Sequence, residues 1–400
     1  FLEHLEGMFA IALWDSNENK LIVARDRLGI KPVYFWQFGG GFAFASEIKA
    51  FLPLAGFSPS INGEALSDYL GIGYAVASQT IFGDVKKLEP GSFLRWSKHE
   101  LSTHRYWTIP SETNESNSYE DWVDIVGDEL NRAVTDHMVS DVPIGAFLSG
   151  GIDSSAVATF MRKATSAELN TYSIGYSGST VAEYYNELPF AKTVADQLES
   201  NHREINVQPD VTSLLPKLIW HLEEPISDSA ITTTYLVSEL ASQSVKVILS
   251  GVGGDELFAG YNRYLGDHYD RRYRQIPSIL RKHLLPGVAR FLPSGRQNRL
   301  MDMSRYAKRF IQAGQLDWRE RYSFYLAIAG KSDVAALTTN SSAENGLDKI
   351  ASLEDSDDEL LRLLRIDWQT QLAENLLLLT DKMSMACSLE CRVPFLDHHL

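Results

Sequence analysis

Cysteine is nearly absent from this chain. Cys387 and Cys391 are the only two in 400 residues, which excludes a disulfide framework. Their i,i+4 spacing predicts both thiols on one helical face, and two ligands fall short of the four in a structural zinc site. Two semi-buried thiols in a reducing cytoplasm are the plain expectation. No apolar run approaches the ~20 residues that cross a bilayer; the leucine run Leu376–Leu379 is bounded by Asn375 and Thr380. Positive charge is in deficit, 37 Lys and Arg against 52 Asp and Glu, for a net charge of −15. That balance disfavours non-specific binding to nucleic acid or anionic lipid, which needs clustered cations. Two phosphate-binding signatures are also lacking. Gly330-Lys331-Ser332 looks like the end of a Walker A loop, but Tyr325 stands where its first glycine is required. No dinucleotide-binding glycine pattern follows a strand.

What is present is an ordinary globular composition, 44% hydrophobic and 22% charged. The length suits two or three domains at roughly 100–200 residues each. The chain opens on Phe1-Leu2-Glu3 and closes on Asp397-His398-His399-Leu400, without Met, signal peptide, cap or polar tail, so a fragment cut at both ends is expected. Residues 1–108 read as β-rich. Phe9–Trp14 and Lys20–Arg25 flank the turn Asp15–Asn19, Pro32–Trp36 and Gly41–Ala45 flank Gly39-Gly40, and Ser92–Trp96 follows another turn. Asn62 is placed to cap a helix through Leu70. Residues 109–118 are polar and aperiodic, as a linker would be.

From residue 119 to 400 the pattern changes. Ile144–Leu148, Thr171–Gly175, Arg203–Val207 and Val245–Leu249 read as buried strands. Ser154–Arg162, Leu188–Leu198, Val211–His221 and Ile231–Ser242 read as helices that alternate with them. Such βα alternation predicts an α/β fold, a doubly wound parallel sheet covered on both faces. Residues 262–385 read as mainly helical, with loops near Pro277 and Pro293. Arg271-Arg272-Arg274 and Arg281-Lys282 are most simply a solvated helical face; a phosphate or partner contact is the other reading.

Two motifs carry chemistry. Ser149-Gly150-Gly151-Ile152-Asp153-Ser154-Ser155 follows the strand Ile144–Leu148 and opens a helix. Glycines there let backbone N–H groups approach an anion, and a helix N-terminus adds unpaired donors and a positive dipole end. Ser149, Ser154 and Ser155 offer hydroxyls, and Asp153 offers a hard ligand for Mg²⁺. Ser250-Gly251-Val252-Gly253-Gly254-Asp255-Glu256 follows Val245–Leu249 in the same way. Ligands of doubly wound sheets sit at the carboxyl ends of strands. The two loops are therefore expected to flank one crevice, with Asp153 and Asp255 sharing Mg²⁺ on nucleotide phosphates.

The first loop resembles the pyrophosphate loop of the PP-loop ATP pyrophosphatases. With Leu249–Tyr261, Asp381–Ala386 and Leu389–Asp397, the chain resembles the synthetase domain of the glutamine-hydrolysing asparagine synthetase family. Glu6–Ala10, Ala24–Pro32 and Phe44–Glu47 resemble the second half of that family's N-terminal-nucleophile glutaminase domain. The resemblance implies residues 1–108 as partial glutaminase, 109–118 as linker and 119–400 as a PP-loop synthetase domain with a helical C-terminal part. It implies ATP and Mg²⁺, and adenylation of a carboxylate, aspartate first of all. Ammonia, drawn from glutamine, then displaces AMP. By similarity Leu148 and Ile174 contact adenosine and Ser250-Gly251 line the AMP. A cytoplasmic setting, no nucleic-acid or membrane partner, and compatibility with a homodimer go with it.

Three departures qualify the resemblance. The family's nucleophile is a first-residue cysteine, whereas Phe1 stands first here, so this chain is expected to release no ammonia from glutamine. Arg25, Asp26 and Arg27 read as a structural charge cluster. A family lysine beyond Val393–Asp397 is not reached, and Lys382 reads as a helix residue near the cleft rather than its substitute. Val252 stands where the family carries Asp or Glu. It leaves open a different carboxylate substrate, as in polysaccharide or secondary-metabolite synthesis, a weakened regulatory homologue, or a neutral packing change. Other PP-loop enzymes, of tRNA or NAD metabolism, fit the charge and the flanking motifs less well.

Overall fold

The computed structural model describes residues 1–98, 100–110, 116–177, 186–208, 210–293, 299–338, 348, 351, 356 and 358–400. The N-terminal unit holds β1 (Ala10–Asp15), β2 (Lys20–Arg25), β3 (Tyr34–Phe38), β4 (Gly41–Ala45), α1 (Gly63–Ile72), β5 (Val85–Lys87), β6 (Ser92–Ser97) and β7 (Glu100–Arg105). They form two antiparallel sheets, ordered β1-β2-β6-β7 and β4-β3-β5. Asp15 Oδ1 accepts from Asn17 N at 2.9 Å, closing the turn that reverses β1 into β2. Val23 pairs with Leu94 across β2 and β6, and both are buried with Val33 and Leu88. Asn62 caps α1, accepting from Glu64 N and Ala65 N. Arg25, Asp26 and Arg27 are buried as a structural cluster. Asp26 accepts backbone N–H bonds from Phe9, Ile30 and Lys31, and both arginines donate to carbonyls.

The second unit follows α2 (Tyr119–His137), which a Ser118–Asp121 capping box opens. Residues 111–115 of the expected linker lie outside the described residues. Next come β8 (Ile144–Phe147), α3 (Ile152–Ala164), β9 (Asn170–Tyr176), α4 (Leu188–Gln197), β10 (Asn201–Val207), α5 (Val211–Leu222), α6 (Ala230–Ala241) and β11 (Val247–Leu249). With β12 (Glu390–Arg392) they build a parallel sheet ordered β10-β9-β8-β11-β12. Side chains alternate across a strand, so the two faces have separate cores. Ala146, Val247 and Leu249 pack with α2, α3 and α4 residues such as Val134, Val157, Met161 and Ala191. Tyr172 and Ile248 pack on the other face with Val237 and Ala241 of α6.

The remaining chain is mainly helical: α7 (Gly254–Phe258), α8 (Asn262–Arg274), α9 (Leu285–Ala289), α10 (Arg299–Ala313), α11 (Trp318–Leu326), α12 (Lys331–Leu337), α13 (Glu359–Asp367) and α14 (Leu378–Met385). A π-helical stretch, Trp368–Leu377, joins α13 to α14, and a shorter one, Leu280–Leu284, precedes α9.

One expectation fails here. The cysteines do not share a helical face. α14 ends at Met385 and the chain turns through Ser388, whose φ is +55°. Glu390–Arg392 is then drawn into the sheet by parallel pairing with β11. Cys391 is buried in that strand, whereas Cys387 is half-buried in the turn.

The two units meet over buried charge. Lys87 of β5 pairs with Glu374 of the π-helical stretch, with side chains 4% and 3% exposed. Lys31 Nζ lies 2.8 Å from Asp381 Oδ1. Lys382 pairs with Glu223, lies over the Tyr34 ring and donates to Ser46 O. It is a helix residue, as expected, but its ammonium serves this seam and not the cleft. Glu223 also accepts from Ile48 N and Lys49 N, and Glu224 Oε2 from Ile81 N. Burial raises the Glu224 pKa, and Lys87 opposes that rise. Lys87→Met leaves Glu374 buried without its cation and is expected to cost about 3–5 kcal/mol of unfolding free energy. Urea denaturation reads this, and Lys87→Met/Glu374→Leu should regain most of the loss.

Candidate functional site

Strand order reverses beside β8. The chain runs β8, β9, β10 outward on one side and then returns to place β11 on the other. Such a switch point opens a crevice at the carboxyl ends of its two central strands. Leu249 of β11 is in register with Ala146 of β8, so the loops at 149–151 and 250–253 leave the sheet side by side. Their contact is close. A Cβ on Gly254 would stand 2.4 Å from Asp153 Cγ, and one on Gly251 would stand 2.7 Å from Ser154 N. Glycine at both positions lets the second loop lie on the first turn of α3.

Each loop is locally determined. Gly150 sits at φ +82° with its Cα against the start of α4; a Cβ there would meet Ala191 N at 2.5 Å. Ser149 Oγ and Ser154 Oγ bond at 2.9 Å, Ser149 N donates to Ser154 Oγ, and Gly151 N donates to Ser149 Oγ. These two hydroxyls therefore shape the loop. Ser155 Oγ is buried with no partner among the described residues. The second loop is braced from behind. Ser250 N donates to Arg392 O at 2.8 Å, and Phe395 and Leu396 pack against Gly253. The segment Leu389–Asp397 thus supports the loop with strand pairing and apolar contact.

The loops open on a cavity of about 410 Å³, within the usual size of small-molecule sites. Leu148, Ser149, Gly151, Asp153, Ser154, Ile174, Ser250, Gly251, Val252 and Asp255 all line it. Gly150 and Ser155 are not among the lining residues; one sits against α4 and the other faces inward along α3. Val252 also packs against the apolar cluster of Ile30, Leu372, Leu377, Val393 and Leu396.

Burial raises the Asp153 pKa above its ordinary 3.8, and the charge of Asp255 raises it further. No Lys or Arg is among the described lining residues. Two carboxylates lining one cavity with no lining ammonium or guanidinium suit a hard divalent cation. Asp397, His398 and His399 also converge, to within 4.8 Å, but Asp397 Oδ1 is taken by Arg132 at 3.0 Å.

Several wall residues carried no assignment in sequence. Glu187, Tyr176, Thr233 with Thr234, Leu376 and Thr380 come from five separate parts of the chain, and only the tertiary fold collects them. Thr232-Thr233-Thr234 in α6 was the one local hint, since β-branched runs are poor helix formers. Glu256 was within a motif but unassigned. It is buried, accepts from Tyr261 Oη, and its backbone carbonyl accepts from Trp368 Nε1 at 3.0 Å. Burial raises its pKa, against the opposing Tyr261 hydrogen bond.

Comparison with known proteins agrees with this architecture. The asparagine synthase family profile matches residues 126–400. The chain belongs to the asparagine synthase family. Residues 1–107 match a glutamine amidotransferase domain. Asparagine synthetase [glutamine-hydrolyzing] 1 of Bacillus subtilis is 34% identical over 402 residues, covering 98% of this chain and 60% of that protein. A putative asparagine synthetase [glutamine-hydrolyzing] of Mycobacterium tuberculosis is 34% identical over 423 residues, covering 99% of this chain and 60% of that protein. Amidase chyE of Penicillium rubens is 31% identical over 286 residues, covering 67% of this chain and 42% of that protein. The chain thus spans about three fifths of the length of the two synthetases it matches. No described helix is long and apolar enough to cross a membrane.

The raised Asp153 pKa has a consequence for stability. A carboxyl held above its ordinary value favours the folded state while protonated, and that contribution is lost as pH rises through the raised pKa. At neutral pH the ionised Asp153 therefore opposes folding. Asp153→Asn in this family member is expected to melt higher than the parent at pH 7. The gap should close as pH falls below 3.8, the ordinary value. Paired thermal melts across that range measure it.

Proposed function

We propose that this chain is the synthetase portion, with part of the glutaminase portion, of an ATP-dependent amidotransferase acting on a carboxylate, aspartate first. The observation that carries the reading is the contact of two glycine loops at the switch point, with Asp153 and Asp255 both lining the cavity there and the charge of Asp255 felt at Asp153. The N-terminus of α3 holds the ATP phosphates, since the first N–H groups of a helix have no internal partner. Leu148 and Ile174 line the adenosine side, and Ser250 and Gly251 the AMP side. Asp153 and Asp255 would hold Mg²⁺, which neutralises charge on the departing pyrophosphate. The substrate carboxylate attacks the α-phosphorus and expels pyrophosphate. Ammonia then attacks the acyl carbon and expels AMP.

Burial pushes the Cys387 thiol up to about 11 and the Cys391 thiol up to about 12, so neither is a ready thiolate nucleophile. We place the glutaminase chemistry outside these 400 residues, in a cytoplasmic protein.

A second reading is a different carboxylate. Val252 favours it, because an aliphatic side chain there offers apolar bulk to the cleft and joins the cluster around Leu372 and Val393. The decisive measurement is ATP–pyrophosphate exchange by the full-length protein with a panel of carboxylates. Asp153→Asn and Asp255→Asn should each lower exchange roughly 10²–10³-fold; near-normal exchange in either sinks the metal assignment. Val252→Glu should raise aspartate-dependent AMP release if aspartate is the substrate and an acid is wanting, since a positioned acid–base group is worth ~10²–10⁴ in rate. A parent already fast with aspartate, and slowed by Val252→Glu, removes the second reading.

A further inference from the structure

The chain's negative net charge conceals a strong segregation. In sequence, residues 271–309 contain eleven Lys and Arg and a single acid, Asp302, within a chain of 37 basic and 52 acidic side chains, although Arg274 is paired with Asp270 and Arg305 with Asp302. This basic segment also carries exposed apolar side chains. Leu280, Leu284 and Val288 recur at helical spacing along the π-helical turn and α9, Phe291 follows just past the end of α9, and they are 42%, 56%, 54% and 91% exposed. Ile279 precedes them at 74%. Lys282 and Arg290 are exposed beside this stripe, and Arg281 is half-buried. The adjoining α10 adds Leu300 and Met303, both exposed.

We propose that this face docks on an anionic lipid surface as a peripheral contact. A helical apolar stripe flanked by Lys and Arg is the pattern that lies in the plane of a bilayer interface. Its cations meet anionic headgroups while its apolar side chains enter the acyl boundary. Phe291 and Ile279 project from the surface, and a protein partner would need a matching apolar cleft to receive them. A bilayer takes them between headgroups. The acidic remainder of the chain is repelled by the same surface, which orients the molecule with this face down. No spanning helix is required, in keeping with the described helices.

The test is co-sedimentation of the full-length protein with vesicles of phosphatidylcholine alone or with about one third phosphatidylglycerol. Binding should be confined to the anionic vesicles and should fall as salt rises. Two variants, Leu284→Ser/Phe291→Ser and Arg281→Glu/Lys282→Glu, should each weaken partitioning by about tenfold or more. All these side chains are exposed or half-buried, so unchanged far-UV circular dichroism will confirm the fold. Absence of binding to anionic vesicles, or binding by either variant equal to that of the parent, overturns the proposal. So does a concentration-dependent dimer, seen by light scattering and abolished by Leu284→Ser/Phe291→Ser, without vesicle binding; that result would make a second copy the occupant.

Discussion

The parallel pairing of β11 with β8 is the constraint on which the rest of the molecule depends. The two strands lie about a hundred residues apart in sequence, yet Leu249 stands beside Ala146. Everything at the cleft follows from that adjacency. It lays Gly254 on Asp153, couples Asp153 to the charge of Asp255, and leaves an edge of β11 for Glu390–Arg392 to occupy. That last strand holds Phe395 and Leu396 behind Gly253. The C-terminal segment therefore acts on the site from behind, without lining it.

The seam between the units works by a different physics. Lys31 and Lys87 each meet an acid of the second unit where water is largely excluded, and the Lys382–Glu223 pair of the second unit holds backbone groups of Ser46, Ile48 and Lys49. Desolvated pairs add little net stability over apolar packing, but breaking one is costly, so they penalise misplacement strongly. The helical stretch 368–385 connects this seam to the cleft. Glu374, Asp381 and Lys382 face the N-terminal unit, while Leu376 and Thr380 line the cavity. A shift of the N-terminal unit would thus be felt at the cleft wall through one continuous helix. The π-helical turns contribute to this division, because the wider turn rotates successive side chains away from an α-helical register.

Charge is distributed as unevenly as it is buried. The whole-chain balance of −15 argues against anionic surfaces only for a uniformly charged body. Electrostatic attraction is screened within roughly 8–10 Å at physiological ionic strength, so the local segment decides what a face can approach. The basic, apolar face of residues 279–291 is such a segment, carried on an acidic protein.

Local patterns determined much of this protein. Hydrophobic alternation and turn residues sufficed for β1, β2, β3, β4 and β6. Apolar runs between helical segments located β8 to β11, and the glycine-serine loops marked where nucleotide chemistry was to be sought. These features arise within short windows of chain, where propensity and periodicity act. Only the tertiary structure decided the rest. Cys391 left the helix expected for it because β11 offered an unpaired edge, and a backbone pairing of that kind has no local signature. Ser154 turned its hydroxyl to the loop because Ser149 stood 2.9 Å away. Glu187, Tyr176, Thr233 and Thr380 entered the cavity from four distant parts of the chain. The strand order, the seam and the cavity walls are long-range contacts, and their partners are chosen by packing in three dimensions, which no single stretch of sequence encodes.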